Sequence, residues 1–162
     1  MKLLKLTNNK QTLLDDQDYE WTKRFIWKAR KQGHNYYAYT HGGPNSELRK
    51  NVIQSSIALH RELLGLDFLD KRQVDHINGN GLDNRRFNLR VCTALENTWN
   101  RHVKSKTSKY KGIHKKGKRW SARIKIGKSY KHLGYYNTDI EAALAYDKAA
   151  TKYFKEFAKT NF

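Results

Sequence analysis

The pattern of apolar and polar positions changes character along the chain. Residues 2–6 and 12–14 alternate or run apolar on either side of Asn8-Asn9, which predicts short strands. Residues 36–39 are rich in aromatics and lead to Gly42-Gly43-Pro44, a turn signal. From Val52 to Leu64 the apolar spacing predicts helix in at least the second half, with Gly65 as its stop. Over residues 51–54 the pattern does not separate strand from helix. Residues 73–77 read as a strand, 78–84 as a compact loop of Asn, Gly and Asp, and 88–91 as a second strand. Thr93 with Glu96 three positions later is a capping box and predicts a helix start.

Beyond residue 108 the periods are cleaner. Residues 110–114 predict a strand and 115–118 a turn at Gly117. Strict alternation then puts Trp120, Ala122, Ile124 and Ile126 on one face, with Ser121, Arg123 and Lys125 on the other. Residues 130–136 make a third strand after Gly127-Lys128-Ser129. Thr138 and Glu141 form another capping box, and Ala142, Ala145, Tyr146, Ala149 and Tyr153 line one face of the helix it opens. Three antiparallel strands backed by one helix result.

Charge divides the chain in a second way. The net charge is +18 over 162 residues, with a pI near 10.0. Residues 107–162 hold 14 Lys and Arg against 4 Asp and Glu, and no acid stands between Asn97 and Thr138. A polyanion explains that excess, because each cation on a phosphate releases condensed counterions. Double-stranded DNA is the expected partner, ahead of an anionic membrane. No run of 18 apolar residues predicts a membrane helix, and the first residues lack the apolar core of a signal peptide. The single Cys92 leaves no internal disulfide and no multi-cysteine structural zinc. The polar, aperiodic run 102–108 is the expected linker, giving modules at 1–104 and 105–162.

Asp75, His76, Asn88 and Asn97 are spread along the strand, loop, strand and helix of the first module. Phosphodiester hydrolysis needs a base near neutrality, which His76 suits, and positive charge on the phosphate. Mg²⁺ or Mn²⁺, as a single ion, supplies that charge and needs only a carboxylate and an amide oxygen, here Asp75 and Asn97. Asn88 is expected to hold the loop or orient His76. Strand neighbours point to opposite faces, so the backbone at His76 is expected to be irregular. Taken alone, an Asp-His pair more often stabilises a turn. Arg85, Arg86 and Arg90 lie beside it as candidate phosphate contacts, with a solvated charged face as the equal alternative.

The whole pattern carries more weight than its parts. Val-Asp-His-Ile-Asn-Gly-Asn-Gly-Leu-Asp-Asn-Arg-Arg, then Asn-Leu-Arg, then Glu96-Asn97, resembles the HNH endonuclease family, in its phage and intron-encoded branch. His60-Arg61 is similar to that family's lead-in. The resemblance covers about residues 50–101. It implies a ββα-metal (His-Me finger) fold, His76 as general base, Asp75 and Asn97 as metal ligands, and Asn88 in an orienting part. Unlike the zinc-stapled members, this chain has no CxxC pair.

Residues 109–162 resemble the AP2/ERF DNA-binding domain. Tyr-Lys-Gly-Ile, Trp-Ser-Ala-Arg-Ile, Leu-Gly-Tyr-Tyr-Asn-Thr, Glu-Ala-Ala-Leu-Ala-Tyr-Asp-Lys-Ala-Ala and the closing Asn161-Phe162 carry the likeness. It maps DNA contacts onto Lys111, His114, Arg123, Lys125, Tyr130 and His132. Lys111, His114 and His132 depart from the family's usual residues, so its target sequence does not transfer. Trp120 is expected in the core.

The resulting expectation is an α+β protein of two modules. The C-terminal sheet grips DNA and the first module cuts it, as a monomer or weak dimer without an obligatory protein partner. A homing or phage mobile-element role, in the cytoplasm or nucleoid of a bacterial or phage-infected cell, follows by analogy. The rival readings are a catalytically silent AP2-type regulator and an RNA-directed protein.

Overall fold

The computed structural model describes residues 1–41, 56–101 and 107–162. The turn expected at 42–44, the undecided stretch 51–54 and residues 102–106 of the expected linker lie outside them. The chain falls into two compact units, Met1–Thr93 and Ala94–Phe162. Among the described residues the fold is mixed α and β, with four small antiparallel sheets and four α-helices.

In the first unit, β1 (Lys2–Lys5) and β2 (Gln11–Leu14) form a hairpin, followed by α1 (Asp16–Thr22). β3 (Lys28–Gln32), β4 (Asn35–His41) and β5 (Ser56–Ala58) make a three-stranded sheet in that order. The short α2 (Leu59–Leu63) follows directly, with Gly65 left-handed just beyond it. The helix expected before Gly65 is thus confined to its last turns, and Ser56–Ala58 is strand. β6 (Gln73–His76) and β7 (Leu89–Cys92) form the last pair. Leu4, Leu6, Leu14, Trp27, Leu59, Leu63, Val74 and Leu89 share one core. Trp27 anchors it, its indole donating to Thr22 O at 2.9 Å.

Two elements of this unit had no sequence signal. Helix α1 buries Asp18 and Thr22 rather than an apolar stripe, and β3 buries only Ala29. Tyr19 and Trp21 of α1 pack only partly buried against the core, so over seven residues no apolar period stands out.

The second unit opens with α3 (Ala94–Trp99) and continues with β8 (Ile113–Lys116), β9 (Arg119–Ile126) and β10 (Ser129–Tyr136), ordered β10-β9-β8. The first of these strands starts three residues later than residues 110–114 predict. Gly112 is left-handed at φ 78° and an added Cβ there would meet the Tyr146 ring, although its carbonyl still accepts from Arg123 N of β9 at 2.9 Å. Helix α4 (Asp139–Phe154) begins at the expected capping box, with Glu141 N donating to Thr138 Oγ1 and Thr138 N to the Glu141 carboxylate. Its buried stripe is Ala142, Ala143, Tyr146, Ala149, Ala150 and Phe154, whereas Ala145 and Tyr153 are half-buried. Ile113, Ala122 and Ile124 meet that stripe, and Trp120 packs at its margin. Asp147 on α4 receives the backbone and side-chain N–H groups of Asn161, whose Oδ1 accepts from Lys111 N at 2.6 Å, so the C-terminal tail is pinned to both ends of the unit.

Candidate active site and nucleic-acid interface

β6 and β7 pair with Asp75 opposite Arg90 and His76 opposite Leu89. The ladder stays regular through His76 and ends there, which corrects the irregular backbone expected at that residue. The tight turn that follows, with Gly79 N donating to His76 O at 2.8 Å, makes the strand end. The two side chains meet different neighbours. Asp75 faces Arg90, whose Nε and Nη2 donate to Oδ2 at 2.8 and 2.6 Å. His76 faces Asn84 and the rings of Tyr37 and His60. Both residues are buried, at 5% and 4% exposure.

The hydrogen bonds behind His76 fix its tautomer. Thr12 Oγ1 donates its one proton to Leu82 O at 2.8 Å. The same oxygen accepts from Asn84 Nδ2 at 2.7 Å. That orients the amide, leaving Asn84 Oδ1 toward His76 Nε2 at 3.2 Å. An oxygen there accepts, so Nε2 carries the proton and Nδ1 is the basic nitrogen. Burial holds His76 below its ordinary 6.5, against the pull of Asn84, Asp75 and Asp83, so the ring is neutral at pH 7.

Asn88 is the staple of the loop between the strands. Its Oδ1 accepts from Asn78 N at 3.0 Å, and its Nδ2 donates to Asp83 O at 2.7 Å and Asn78 Oδ1 at 3.1 Å. The loop is held from outside as well. Leu13 N donates to Leu82 O, and Asn84 N to Leu13 O. Asn35, at the β3–β4 turn, donates to Gly79 O at 2.7 Å and accepts from Gly81 N at 3.2 Å. A Cβ on Gly81 would strike Tyr36 O and the Tyr37 ring, so this approach requires glycine.

Each of the three arginines beside the loop meets a carboxylate. Arg85 forks onto Asp83 at 2.7 and 2.6 Å, Arg86 onto Asp18 at 2.8 Å twice, and Arg90 onto Asp75. The Arg85 bonds hold Asp83 below the ordinary carboxylate range. Arg86 ties the loop to α1 and is the most exposed of the three.

Two further residues have clear parts here. His60 lies edge-on to His76, centroids 5.3 Å apart at 81°, and to Tyr37 at 5.7 Å. Burial, with His76 and Arg61 nearby, lowers His60 to about 3, so it too is neutral. Arg61 donates to the backbone carbonyls of Asp67, Asp70 and Arg72, which fixes the run into β6. The sequence marks His60-Arg61 only by resemblance. Nothing local marks Thr12, 72 residues from Asn84.

No group of three His, Cys, Asp or Glu side chains gathers among the described residues. Asp75 is a buried carboxylate of the first unit, and Asn97 is half-buried on α3 of the second. Arg90 already neutralises that carboxylate.

The second unit presents the expected basic face. Arg123, Lys125, Tyr130 and His132 are exposed, and Lys111 and His114 half-buried. The Arg123 guanidinium lies 4.8 Å from the Tyr130 ring centre and Lys125 Nζ 5.8 Å. His132 Nε2 is 3.2 Å from Ser121 Oγ, beside a register shift between His132 and Gly134. Lys111, His114, Arg123, Lys125 and Tyr130 line a cleft of about 510 Å³ whose other wall includes Trp99. Burial, then Lys159, pulls Lys111 down to about 8, and burial, then Arg123, lowers His114. His132 lies outside that cleft's lining.

Comparison with known proteins gives two matches. An HNH endonuclease family model matches residues 70–98. Over 60 residues, 35% of the chain, the sequence is 47% identical to APETALA2-like protein 2 of Oryza sativa, of which that stretch is 14%. Over 59 residues it is 51% identical to the ethylene-responsive transcription factor WRI1 of Arabidopsis thaliana, again 14% of that protein. The AP2-like ethylene-responsive transcription factor At1g16060 of Arabidopsis thaliana is 49% identical over 59 residues, 17% of its length. The chain thus spans a small part of the relatives it matches. Both resemblances read from the sequence stand. No helix among the described residues is long and apolar enough to cross a membrane.

Proposed function

We propose that this chain, an HNH endonuclease segment joined to an AP2/ERF-type segment, is a metal-dependent DNA endonuclease. The observation that carries the reading is the buried, neutral His76 whose tautomer is locked by Asn84, Thr12 and Leu82 O. A base so held needs no reorganisation when it takes a proton. In this reading His76 Nδ1 accepts a proton from the water that attacks phosphorus, the P–O3′ bond breaks, and the departing O3′ takes a proton from solvent, which leaves 5′-phosphate and 3′-hydroxyl ends. Mg²⁺ or Mn²⁺ would be held by Asp75 and Asn97, and supplies positive charge for the phosphate oxygens and the leaving oxygen. Asn88 keeps the loop closed around Asn84. Arg85 and Arg86 set register on the phosphate backbone with donors beyond those spent on Asp83 and Asp18. Arg90 holds the Asp75 carboxylate in place.

His114, Arg123, Lys125, Tyr130 and His132 face DNA from the sheet, with Lys111 at the cleft edge. A sheet of this width enters the major groove of B-form DNA. The ββα-metal arrangement, the division at 104/105 and a homing or phage role belong to the same proposal, the last by analogy of module pairing. A single site per chain nicks one strand.

A second reading is an AP2-type regulator that binds without cutting. The Arg90 guanidinium that neutralises Asp75 favours it. A nicking assay on a genomic DNA library decides, with Mg²⁺ against EDTA and wild type beside Asp75→Ala. Metal-dependent nicking lost in the variant supports the nuclease. Tight binding with no nicking in any condition supports the regulator.

A further inference from the structure

The β6–β7 ladder ends with His76 opposite Leu89, and one bond beyond it Ile77 N donates to Asn88 O at 2.9 Å. That bond sets Ile77 and Phe87 at the same end of the hairpin. Both are apolar and both face solvent, Phe87 at 68% exposure and Ile77 at 42%, and neither joins the core of the first unit. A scattered apolar side chain on a surface is ordinary. Phe87 differs in how firmly it is held. It is the middle residue of the 3-10 turn Arg86–Asn88, closed by Asn88 N on Arg85 O at 2.9 Å. Its neighbours on both sides are tied inward: Arg85 to Asp83, Arg86 to Asp18 and through its backbone N–H to Asp15, and Asn88 to the loop backbone. The Arg85 guanidinium lies 4.5 Å from the centre of the Phe87 ring and backs it. Asp83, which fixes that guanidinium, is buried. The ring is thus presented to solvent with little freedom left to lose on binding.

We infer that Phe87, with Ile77 beside it, is a wedge that enters between stacked base pairs of bound DNA, next to the phosphate presented to His76. Two observations name the occupant. The chain carries a net charge of +18, which calls for a polyanion. His76 itself is buried, so a duplex brought to it meets the residues that reach solvent at this end of the hairpin, and the large apolar ones described there are Ile77 and Phe87. A wedge of Phe or Ile unstacks and kinks a base step, and that distortion turns the backbone toward a base that lies below the surface. The cost of unstacking is offset by the face that Phe87 offers to a base, with the Arg85 cation behind it. The wedge touches bases without reading their edges, so the sequence preference it adds is the ease of kinking the step. The inference rests on the readings of His76 as base and of DNA as partner.

The test uses the full chain and a closed circular plasmid in EDTA, so that binding is read apart from metal-dependent cutting. A topoisomerase that needs no metal relaxes the plasmid with the protein bound, and the linking number is read from the topoisomers once the protein is removed. Wild type is expected to lower the linking number in proportion to the protein bound, because an inserted side chain untwists the step it opens. Phe87→Ala is expected to lose that shift at matched occupancy and to bind DNA about tenfold more weakly, the loss of one aromatic face on a base. Phe87→Leu keeps an inserting side chain and is expected to keep the shift. Urea unfolding of both variants should match wild type, since the ring stands outside the core. Wild type that saturates the plasmid without moving its linking number, or Phe87→Ala that moves it as far as wild type does, refutes the wedge and leaves the reading of DNA as partner standing. Wild type with no affinity for the plasmid refutes that reading, and the wedge falls with it. Sedimentation of the free protein covers the other occupant: a wild-type dimer that Phe87→Ala dissolves assigns the tip to a second copy of the chain and overturns the wedge.

Discussion

The loop between β6 and β7 and the sheet of the second unit are held by opposite means. The loop hangs on side-chain amides and carboxylates: Asn78, Asn80, Asp83, Asn84 and Asn88 bond one another or the loop backbone, and Thr12 and Asn35 grip it from distant strands. The sheet hangs on Ile113, Ala122 and Ile124 against the alanine stripe of α4. A site that must hold one histidine tautomer needs directional bonds, and hydrogen bonds supply direction that apolar contact does not. In the proposed reading the sheet lies on DNA, and such a surface needs a stiff backing and a charged front, which alternation supplies.

The difference sets the sizes of the effects that would break each region. Gly112→Ala strikes the packed unit hardest. It forces a left-handed backbone on alanine, about 1 kcal/mol, and drives a methyl into the Tyr146 ring, roughly 1–3 kcal/mol more. Thermal unfolding should show the second unit melting early while the first is unmoved. Asn88→Ala is the counterpart in the loop. It leaves Asn78 N and Asp83 O without their side-chain partner, for a loss of about 2–3 kcal/mol in urea unfolding. A loss below ~0.5 kcal/mol would show that water replaces the amide without cost.

His60 sharpens the comparison through pH. Its folded value of about 3 lies below the 6.5 of the unfolded chain, so the unfolded state binds the proton first. Its burial costs nothing extra above pH 6.5. Stability then falls as pH drops from 6.5 toward about 3 and levels below that. His60→Phe should flatten that fall in acid unfolding while stability at pH 8 changes little. An unchanged acid slope would mean that other groups govern it. The smallest effect belongs to the basic face. Lys125→Ala should lower the slope of log affinity against log salt by about 1, read by fluorescence anisotropy. The same slope in the variant would place the phosphate grip elsewhere.

The two regions were also unequally legible. The alternation from Trp120 to Ile126 and the Thr138–Glu141 box are local signals, and both elements stand where the signals put them. Trp120 packs at the core as its place in the alternation implies. In the first unit the order strand, loop, strand was readable from turn residues, but the partners were not. Thr12, Asn35 and His60 reach the site over long stretches of chain, and no spacing rule connects them. Arg85, Arg86 and Arg90 show the limit of reading charge alone. Each looks like a phosphate contact in sequence, and each is forked onto a carboxylate brought in by the fold. Helix α1 was invisible because over its seven residues Tyr19 and Trp21 pack only partly buried, while the buried Asp18 meets Arg86.

The central claim is that the buried His76 is the base of a DNA-cutting site. Single-turnover cleavage and equilibrium binding of the same DNA, wild type beside His76→Ala in Mg²⁺, test it most directly. The account predicts a rate loss of about 10²–10⁴ with DNA affinity unchanged within about twofold. Cleavage by the variant at the wild-type rate, or a fall in affinity as large as the fall in rate, would contradict it.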